Sequence, residues 1–388
     1  MNAGASVIIV TYNSAQTIRT CLVSVANTIR PEDEVLIIDN NSSDNTVEII
    51  AQVQSELKTK FQCLLQDKNQ GFSKGCNIGI AKSTGEFIIL LNPDTEVFGG
   101  WIERLTAHFR YYKFTGAVGP LSNYTIRSQH ILTYFPDYSA YLQDAQKLIE
   151  TLYQRFRNRS IPAKLLIGFC MALRRDLVEG IGGLDEDIFL GDDDLEISWR
   201  FREQGYQLRV ALDVFINHVG QSSFDTLPKI ETEEMVRQGS DALFEKMRKH
   251  YSPNKVPHPQ DYFGIGWWSP SILKEHKAEE VFSPKLTHRD YNELTQKTKR
   301  LLRQGKHKEA AKLLEQALKL YVNDFVLWYT LGSIYLILQE YEQAEFALKN
   351  AWSLDFNTRM ATTKLLELVA RKRQETEEEA STTQAMVL

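Results

Sequence analysis

Short apolar runs rich in Val, Ile and Leu alternate with helical patterns over about the first 220 residues of the chain. The runs at 7–10, 35–38 and 87–91 have four or five residues each, which is too short for a buried helix but suits a strand covered on both faces. Residues 17–27, between the first two runs, carry apolar side chains at the spacing of one helix face. Because strands that alternate with helices usually join a parallel sheet, the sequence predicts an α/β fold with a mostly parallel sheet flanked by helices.

The composition argues against a protein that binds nucleic acid or crosses a membrane. Lys and Arg number 45 against 50 Asp and Glu, a net charge of −5, whereas nucleic-acid binding needs a basic surface. The longest nearly uninterrupted apolar run, 165–173, has nine residues and falls short of the roughly 18–20 that a spanning helix needs. The chain also begins without the basic and apolar regions of a secretory leader.

Four cysteines are scattered through the sequence, at positions 21, 63, 76 and 170, without a Cys-x-x-Cys pair. Isolated cysteines of this kind are typical of the reduced cores of intracellular proteins. Together with the missing leader and the missing spanning segment, they predict a cytoplasmic protein, with peripheral attachment to a membrane left open.

The carboxy-terminal part repeats with a period of about 34 residues and predicts an all-α module. Two copies are fewer than the three or so that stand alone, so we expect them to pack on something, a second copy of the chain or another protein. The residues that follow the helix-turn-helix pattern of a tetratricopeptide repeat are Trp328, Leu331, Gly332, Tyr335, Ala344, Leu348 and Ala351, with Ala310, Leu314 and Ala317 one period earlier.

The sequence therefore divides into four parts. At about 150 residues per domain, 388 residues have room for two or three folded domains. Residues 1–225 form the predicted α/β domain, and 226–285 form a helical and aromatic extension that packs on it. Residues 286–370 form the helical repeats, and the Glu-rich residues 371–388 form a tail predicted to be disordered.

Polar residues follow the first two predicted strands. Thr11, Tyr12 and Asn13 come after the first strand, and Asp39 and Asn41 come after the second. Ligands of open α/β sheets sit beyond the carboxyl ends of the strands, where such side chains can hydrogen-bond a base and a ribose. The same residues could equally cap the helices that follow. Neither a Gly-x-Gly-x-x-Gly motif nor a P-loop motif follows these strands, so the common dinucleotide and P-loop sites are excluded.

Two further segments carry candidate ligands for a phosphate and a metal ion. The glycine-rich run 69–79 contains Lys74, which is placed to meet a phosphate, although its glycines could simply allow close helix packing. Asn92 and Asp94 follow the next buried strand, where a carboxylate could hold a divalent cation against a diphosphate. Asn-Pro-Asp is also a common turn, so this motif alone decides nothing.

An acidic cluster precedes the last predicted strand of the α/β domain. Asp192, Asp193 and Asp194 open a helix, where acidic residues favour the helix dipole. Three consecutive aspartates exceed what a cap needs, and they repel one another unless a cation or a proton-accepting role offsets the repulsion. His218 follows a strand and is either structural or a third metal ligand.

Taken in order, these motifs resemble the family 2 glycosyltransferases of GT-A fold, over about residues 5–225. The resemblance implies an inverting hexosyl- or deoxyhexosyltransferase that takes a nucleotide-diphosphate sugar as donor and needs a divalent cation, Mn²⁺ or Mg²⁺. The motifs are Val-Thr-Tyr-Asn at 10–13, Asp-Asn-Asn-Ser at 39–42, the glycine-rich run at 69–79, Leu-Asn-Pro-Asp at 91–94, the acidic group at 192–196 and His-x-x-x-Ser at 218–222.

The resemblance also implies residues for the donor site. Thr11, Tyr12 and Asp39 would line the nucleotide, with Asn41 and Asn77 nearby.

The resemblance further implies the metal ligands and the base. Asp94 would bind the metal and His218 would join it, while Asn92 stands where the family has another carboxylate. Asp194 would be the catalytic base if the acidic motif is aligned on the arginine that follows it. Aligned on the first aspartate instead, the motif makes Asp193 the base, and both alignments stay open.

The acceptor also stays open: a polysaccharide, a lipid-linked glycan, or a protein or peptide held by the repeats. Two other functions compete with this interpretation. A nucleotidyltransferase would release pyrophosphate, but no glycine-rich basic loop follows the first strand. A non-catalytic scaffold would carry the repeats on a degenerate transferase domain, and the acidic and histidine residues named above argue against it.

Overall fold

The computed structural model describes residues 4–125, 127–135, 144–220, 229–251, 255–257, 262–263, 288–319, 321–322, 324–354 and 359–387. The chain divides into two compact units, Met1–Ser283 and Pro284–Leu388, and each is described by itself. The aromatic part of the predicted extension, after residue 263, lies outside the described residues. None of the helices in the described ranges is long and apolar enough to cross a membrane.

The described residues of the first unit contain nine strands. In chain order they are β1 (Ala5–Thr11), β2 (Glu34–Asp39), β3 (Gln62–Leu65), β4 (Phe87–Leu91), β5 (Thr95–Glu96), β6 (Thr115–Ser122), β7 (Ser160–Ala163), β8 (Cys170–Arg174) and β9 (Gln207–His218). They form a sheet in the order β3-β2-β1-β4-β8-β6-β9-β5, and β7 also pairs with β9. Strands β1 to β4 are parallel and β9 is parallel to β6, whereas β5, β7 and β8 run antiparallel to their neighbours.

Helices cover both faces of this sheet, as β1 illustrates. Val7 and Ile9 join a core that includes Ile18 of the first helix, while Ile8 and Val10 lie against the third helix. The predicted α/β fold, with a mostly parallel sheet flanked by helices, is confirmed. In chain order the helices of this unit are α1 (Ile18–Ala26), α2 (Thr46–Leu57), α3 (Phe72–Lys82), α4 (Trp101–Tyr111), α5 (Ala145–Phe156), α6 (Arg175–Gly180), α7 (Asp193–Glu203) and α8 (Lys229–His250).

The strand directions bring separate parts of the chain to one edge of the sheet, which we call the upper edge. Thr11 and Asp39 end the parallel strands β1 and β2 at this edge. Because β8 is antiparallel to β4, it begins here with Cys170. Strand β9 runs opposite to β8 and ends here with His218, which pairs with Thr95 of β5.

The second unit is all-helical among its described residues, as predicted. Residues that the repeat pattern singled out, among them Leu314, Trp328 and Ala344, are buried in its core. Gly332 lets two helices approach closely, since a β-carbon there would stand 2.6 Å from Cγ of Leu348. The helices are α9 (His288–Arg303), α10 (His307–Leu318), α11 (Phe325–Ile337), α12 (Tyr341–Leu354) and α13 (Arg359–Val387).

The tail at 371–388, predicted to be disordered, is helical up to Val387 because α13 continues through it. Arg, Lys, Gln, Glu and Ala are abundant in this stretch and are strong helix formers. Ion pairs about one turn apart add to the helix, with Lys372 at 2.7 Å and Arg371 at 3.8 Å from Glu375. The structure therefore has a highly charged helix where the sequence pattern predicts disorder.

We predict that Gly79→Ala destabilises the first unit, because α3 lies directly on β1 at this residue. A β-carbon on Gly79 would stand 2.5 Å from Cγ2 of Ile8. Displacing that buried side chain should cost about 1–3 kcal/mol, more than the ~1 kcal/mol that alanine gains in helix propensity. Gly180→Ala is the control, since a β-carbon there meets nothing within 4 Å. Urea unfolding that finds Gly79→Ala as stable as the control would contradict this packing.

Candidate active site

Hydrogen bonds join the loops after β1 and β2 at the upper edge. The buried Thr11 donates its hydroxyl to Oδ1 of Asp39 at 3.0 Å. Ser42 donates twice to the same carboxylate, from its hydroxyl at 2.6 Å and from its backbone N–H at 3.0 Å. These three donors hold the Asp39 carboxylate in one orientation, so that it is a fixed acceptor between the two loops.

Asn13 and Asn41 turn these loops. Both have left-handed backbone conformations, with φ of 49° and 64°, which Asn tolerates better than most residues. The N–H of Asn13 donates to the hydroxyl of Ser42 at 2.9 Å, and Oδ1 of Asn13 accepts from the N–H of Ser43 at 2.8 Å. Asn41 is exposed and Tyr12 is half-buried, so both side chains are accessible to a ligand.

Helix α3 carries two predicted ligands, and their surroundings differ. Nζ of the partly exposed Lys74 lies 3.2 Å from Oε2 of Glu186, a surface ion pair that a phosphate could replace at little cost. Asn77 uses its amide on the chain itself. Its Nδ2 donates to the carbonyl of Leu184 at 2.9 Å and to Glu186 at 3.0 Å, and its Oδ1 accepts from the N–H of Leu184 at 2.8 Å. If Asn77 bound the nucleotide as predicted, its hydrogen bonds to Leu184 and Glu186 would have to break.

The loop after β4 places Asp94 next to the last residue of β9. Oδ1 of Asp94 lies 3.3 Å from Nε2 of His218, and the backbone carbonyl of Asp94 accepts from the N–H of Val219 at 3.0 Å. The imidazole stacks on the ring of Phe169, with centroids 5.0 Å apart and planes 19° apart. Nδ1 of His218 lies 2.9 Å from the carbonyl oxygen of Tyr124. Since a carbonyl only accepts, Nδ1 carries the hydrogen in the neutral ring.

Asp94 and His218, which we call the cation pair, fit a divalent metal ion. Because the neutral ring carries its hydrogen on Nδ1, the lone pair of Nε2 faces Oδ1 of Asp94. Both atoms are hydrogen-bond acceptors, and at this distance they need a cation or a proton shared between them. In the part of the chain that the structure describes, no group of three or more His, Cys, Asp or Glu side chains could hold a metal ion. A cation such as Mg²⁺ is usually bound through one or two protein side chains plus substrate phosphates, so this pair would need a phosphate-bearing ligand to complete the site.

Gly168 and Phe169 connect the cation pair with the acidic cluster. Phe169 supports the imidazole by stacking, and its backbone carbonyl accepts from the N–H of Asn92 at 2.9 Å. The N–H of Gly168 donates to Oδ2 of Asp194 at 3.3 Å. Asp193 lies here too, because a β-carbon on Gly168 would stand 3.6 Å from its Oδ2. Gly168 and Phe169 therefore connect the predicted metal ligands with the predicted base.

Two of the four acidic side chains at 192–196 are bonded to other side chains. Asp192 has a left-handed backbone, with φ of 60°, and its buried carboxylate accepts from the hydroxyl of Ser240 on α8. Glu196 is buried, and its Oε2 accepts from Nη2 of Arg200 at 2.6 Å while its Oε1 lies 2.6 Å from Nε of the same guanidinium. Asp193 is half-buried near Gly168, like Asp194.

Asp193 and Asp194 both hold protons more tightly than an ordinary aspartate. Burial raises the pKa of Asp193 to about 6, and the charge of Asp192 adds to this effect. Burial, together with the charges of Asp193 and Asp192, raises the pKa of Asp194 well above its usual range, against hydrogen bonds from the N–H groups of Gly168 and Leu195. Because the two carboxyls are close, they titrate together, and a raised pKa in such a pair is typical of a general acid or base.

Sequence reasoning missed the residues that hold these groups in place. Ser42 and Asn40 were within reach, because they belong to the polar run after β2; the buried Asn40 donates to the carbonyl of Gly71 at 2.9 Å. Ser240 and Phe169 had no such signal. Their contacts depend on α8 lying beside α7 and on β8 lying beside β4, and neither neighbour is close in sequence.

Two family models match separate parts of the chain. Residues 6–182 match the model described as glycosyl transferase family 2. Residues 275–351 match the model described as anaphase-promoting complex, cyclosome, subunit 3. The first match confirms the family that the sequence motifs resemble, and the second covers most of the predicted helical repeats.

Individual proteins that are similar to this chain are named as enzymes of the predicted class, the glycosyltransferases, or as glycan synthases. The glycosyltransferase AglE of Haloferax volcanii is 29% identical over 230 residues, which are 58% of this chain and 69% of that protein. The poly-beta-1,6-N-acetyl-D-glucosamine synthase of Staphylococcus epidermidis is 25% identical over 210 residues, 53% of this chain and 47% of the synthase, so the match spans about half of that relative. The crystal structure of GalNAc-T7 with UDP, GalNAc and Mn²⁺ aligns with a TM-score of 0.48 at 16% identity, over 72% of this chain and 56% of that one. The predicted enzyme class, a glycosyltransferase, is confirmed by the sequence relatives.

We predict that Asp193→Asn stabilises the first unit at neutral pH. The folded protein keeps a proton on this carboxyl up to about pH 6, whereas the unfolded chain releases it near 3.8. Stability therefore falls as the pH rises through this window, and the full cost is present above it. Asparagine removes the cost, which we expect to be about 1–3 kcal/mol. Asp176→Asn, at an exposed aspartate, is the control.

Thermal unfolding of both variants between pH 4 and pH 8 checks this sign. The gain from Asp193→Asn should grow with pH and nearly vanish at pH 4. A gain that is absent at every pH would show that burial does not destabilise this carboxylate.

Proposed function

Because residues 6–182 match the family 2 glycosyltransferases, we propose that the chain transfers a sugar from a nucleotide-diphosphate donor to an acceptor hydroxyl and inverts the anomeric carbon. One observation carries the proposal. The cation pair and a carboxylate of raised pKa, Asp194, lie at the same edge of the sheet and are linked by Gly168 and Phe169. An inverting transfer needs those two elements side by side: a cation for the leaving diphosphate and a base for the attacking hydroxyl.

The nucleotide would bind over the loops after β1 and β2. Asp39, fixed by Thr11 and Ser42, offers an acceptor for an N–H of the base or a hydroxyl of the ribose. Tyr12 and Asn13 come next along the chain, and Tyr12 brings an aromatic ring that a base can stack on. The exposed Asn41 completes this set of donor residues.

The diphosphate would lie near the cation pair. Asp94 and His218 would hold Mn²⁺ or Mg²⁺, and Asn92, two residues before Asp94, would offer a neutral oxygen ligand. When bound, the cation offsets the negative charge that develops on the leaving nucleoside diphosphate. Lys74 can exchange its surface partner Glu186 for a phosphate oxygen, which would add a second positive charge to the binding of the diphosphate.

Asp194 would act as the base. As the acceptor oxygen bonds to the anomeric carbon, its proton passes to the Asp194 carboxylate. The bond from that carbon to the diphosphate breaks on the opposite face, and its electron pair leaves with the diphosphate. This single displacement inverts the sugar without a covalent enzyme intermediate. A raised pKa makes Asp194 a stronger proton acceptor once ionised. Asp193, in the same coupled pair, would orient the acceptor.

The acceptor is proposed to be a carbohydrate hydroxyl. A relative named as a synthase of poly-beta-1,6-N-acetyl-D-glucosamine supports glycan synthesis as the setting. The helical repeats would select the acceptor or assemble the chain with a partner, because the proposed catalytic residues all lie at or before His218. Polysaccharide, lipid-linked and protein acceptors each present such a hydroxyl.

We expect purified full-length protein to release a nucleoside diphosphate from one nucleotide sugar in a panel of donors, in the presence of Mn²⁺ or Mg²⁺. Addition of a suitable glycan should accelerate release and yield a product of inverted anomeric configuration, read by NMR. Pyrophosphate in place of a nucleoside diphosphate would identify a nucleotidyltransferase. Retained configuration would exclude the single displacement.

We predict that Asp94→Asn abolishes most of the cation-dependent part of nucleoside diphosphate binding. The amide keeps the size of the carboxylate but removes the charge that faces His218. Calorimetric titration with UDP and GDP, with and without Mn²⁺, measures this part directly. Asp176→Asn is the matched control. Binding of the parent protein that is equally tight in excess chelator would rule out the metal assignment.

Asp194→Asn should keep donor binding and lower transfer by roughly 10²–10⁴, the usual effect of losing a general base. Asp193→Asn should cost less, and the opposite order would assign the base to Asp193.

In the parent, the base accepts a proton only when ionised, so transfer should fall as the pH falls through the raised pKa of the pair. We expect this loss well above pH 4, where an ordinary aspartate would put it. Near-parental rates in both variants would place the base elsewhere.

A further inference from the structure

Residues 184–192 lead from α6 into α7, and we call them the base loop because Asp193 and Asp194 follow directly. The loop has neither helix nor strand. Glycines with a left-handed backbone stand near both ends of the loop. Gly182 and Gly183, with φ of 84° and 79°, come just before it, and Gly191, with φ of 76°, is its second-last residue. Glycines at both ends give the chain freedom to swing there, so the path of the loop into the first turn of α7 depends on what holds it.

Helix α3 holds the base loop on one side. Asn77 pairs with both the N–H and the carbonyl of Leu184, at 2.8 Å and 2.9 Å, as a neighbouring strand would. Further along, the N–H of Phe72 donates to the carbonyl of Phe189 at 3.1 Å. Two backbone positions of the loop are thereby fixed to one rigid helix.

Helix α8 holds the loop on the other side. Lys246 forms ion pairs with Asp185 and with Asp187, the second at 3.0 Å. At the end of the loop, Ser240 donates to the carboxylate of Asp192. Lys246 and Asp185 are both mostly shielded from water, so their attraction is screened less than that of an exposed pair.

We propose that Asn77 and Lys246 are positioning residues that clamp the base loop between α3 and α8 and so keep Asp194 against Gly168. This inference rests on the proposed function, in which Asp194 is the base. It gives Asn77 a role different from the nucleotide contact that the family resemblance implies, because its amide is used by Leu184 and Glu186.

Repulsion within the acidic cluster explains why the base loop would need to be held. Three adjacent aspartates repel one another, and the repulsion favours any movement that separates them or exposes them to water. A general base must stay within hydrogen-bond reach of the acceptor hydroxyl, and a displacement of about 1 Å can cost up to 10²-fold in rate. A clamp on both sides of the loop resists that movement without touching the donor.

The test uses full-length protein with Asn77→Leu, which keeps the branched shape of the side chain and removes the hydrogen bonds, and with Lys246→Met. Lys246→Arg is the conservative variant. Gln54→Leu is the matched control, because Gln54 also donates from its amide to a backbone carbonyl, that of Phe61 at 2.7 Å, but on α2. Three quantities are measured: kcat for transfer, affinity for UDP and GDP with Mn²⁺, and hydrogen exchange of the amides at 184–195.

We expect Asn77→Leu and Lys246→Met to lower kcat by about 10- to 100-fold, with nucleoside diphosphate affinity within a factor of two of the parent. Hydrogen exchange at 184–195 should become faster in both variants, and Lys246→Arg should keep most of the rate. The control should change neither quantity.

Weaker UDP or GDP affinity with unchanged kcat in Asn77→Leu would make Asn77 a donor ligand and overturn the proposal. Unchanged exchange at 184–195 would overturn it as well. If the parent releases no nucleoside diphosphate from any donor, the proposed function fails, and hydrogen exchange alone still decides whether the clamp exists.

Discussion

The antiparallel pairing of β8 with β4 is the constraint on which the site depends. It makes β8 begin at the upper edge, so that Gly168 and Phe169 arrive between the cation pair and α7. A parallel strand of five residues would begin at the opposite edge, about 16 Å away. Phe169 then supports the imidazole of His218, and the N–H of Gly168 binds Asp194. Neither residue carries a reactive group, yet the cation pair and the proposed base are both held in place by contacts with them.

Much of the fold follows from the sequence, because strands buried on both faces need short continuous apolar runs, and Val7 to Val10 is such a run. Without the family resemblance, the site is predictable only where it is local. Thr11 and Asp39 end neighbouring parallel strands, so their proximity follows from the α/β pattern. The meeting of Asp94 with His218 needs the pairing of β5 with β9, which no local pattern encodes.

Side-chain direction is the other part that sequence reasoning could not supply. Asn77 lies on the helix expected to carry donor ligands, but its amide is bonded to Leu184. The site also gathers negative charge, from Asp39, Asp94 and the aspartates at 192–194, in a chain of net charge −5. This repulsion costs stability in the free protein and is relieved when a cation and a donor bind, so the first unit should be most stable in its complex. Burial, together with the charges of Asp192 and Asp193, gives the pair at 193 and 194 its affinity for protons.

The most direct test of this account is an anomalous-diffraction map of crystals grown with Mn²⁺ and the nucleoside diphosphate that the enzyme releases. The account predicts one strong manganese peak, bonded to Oδ1 of Asp94 and Nε2 of His218 and to phosphate oxygens, with Asp194 near it but not coordinated. A manganese ion bound instead by Asp193 and Asp194, or a diphosphate bound away from Asp94 and His218, would contradict the assignment of both the cation pair and the base.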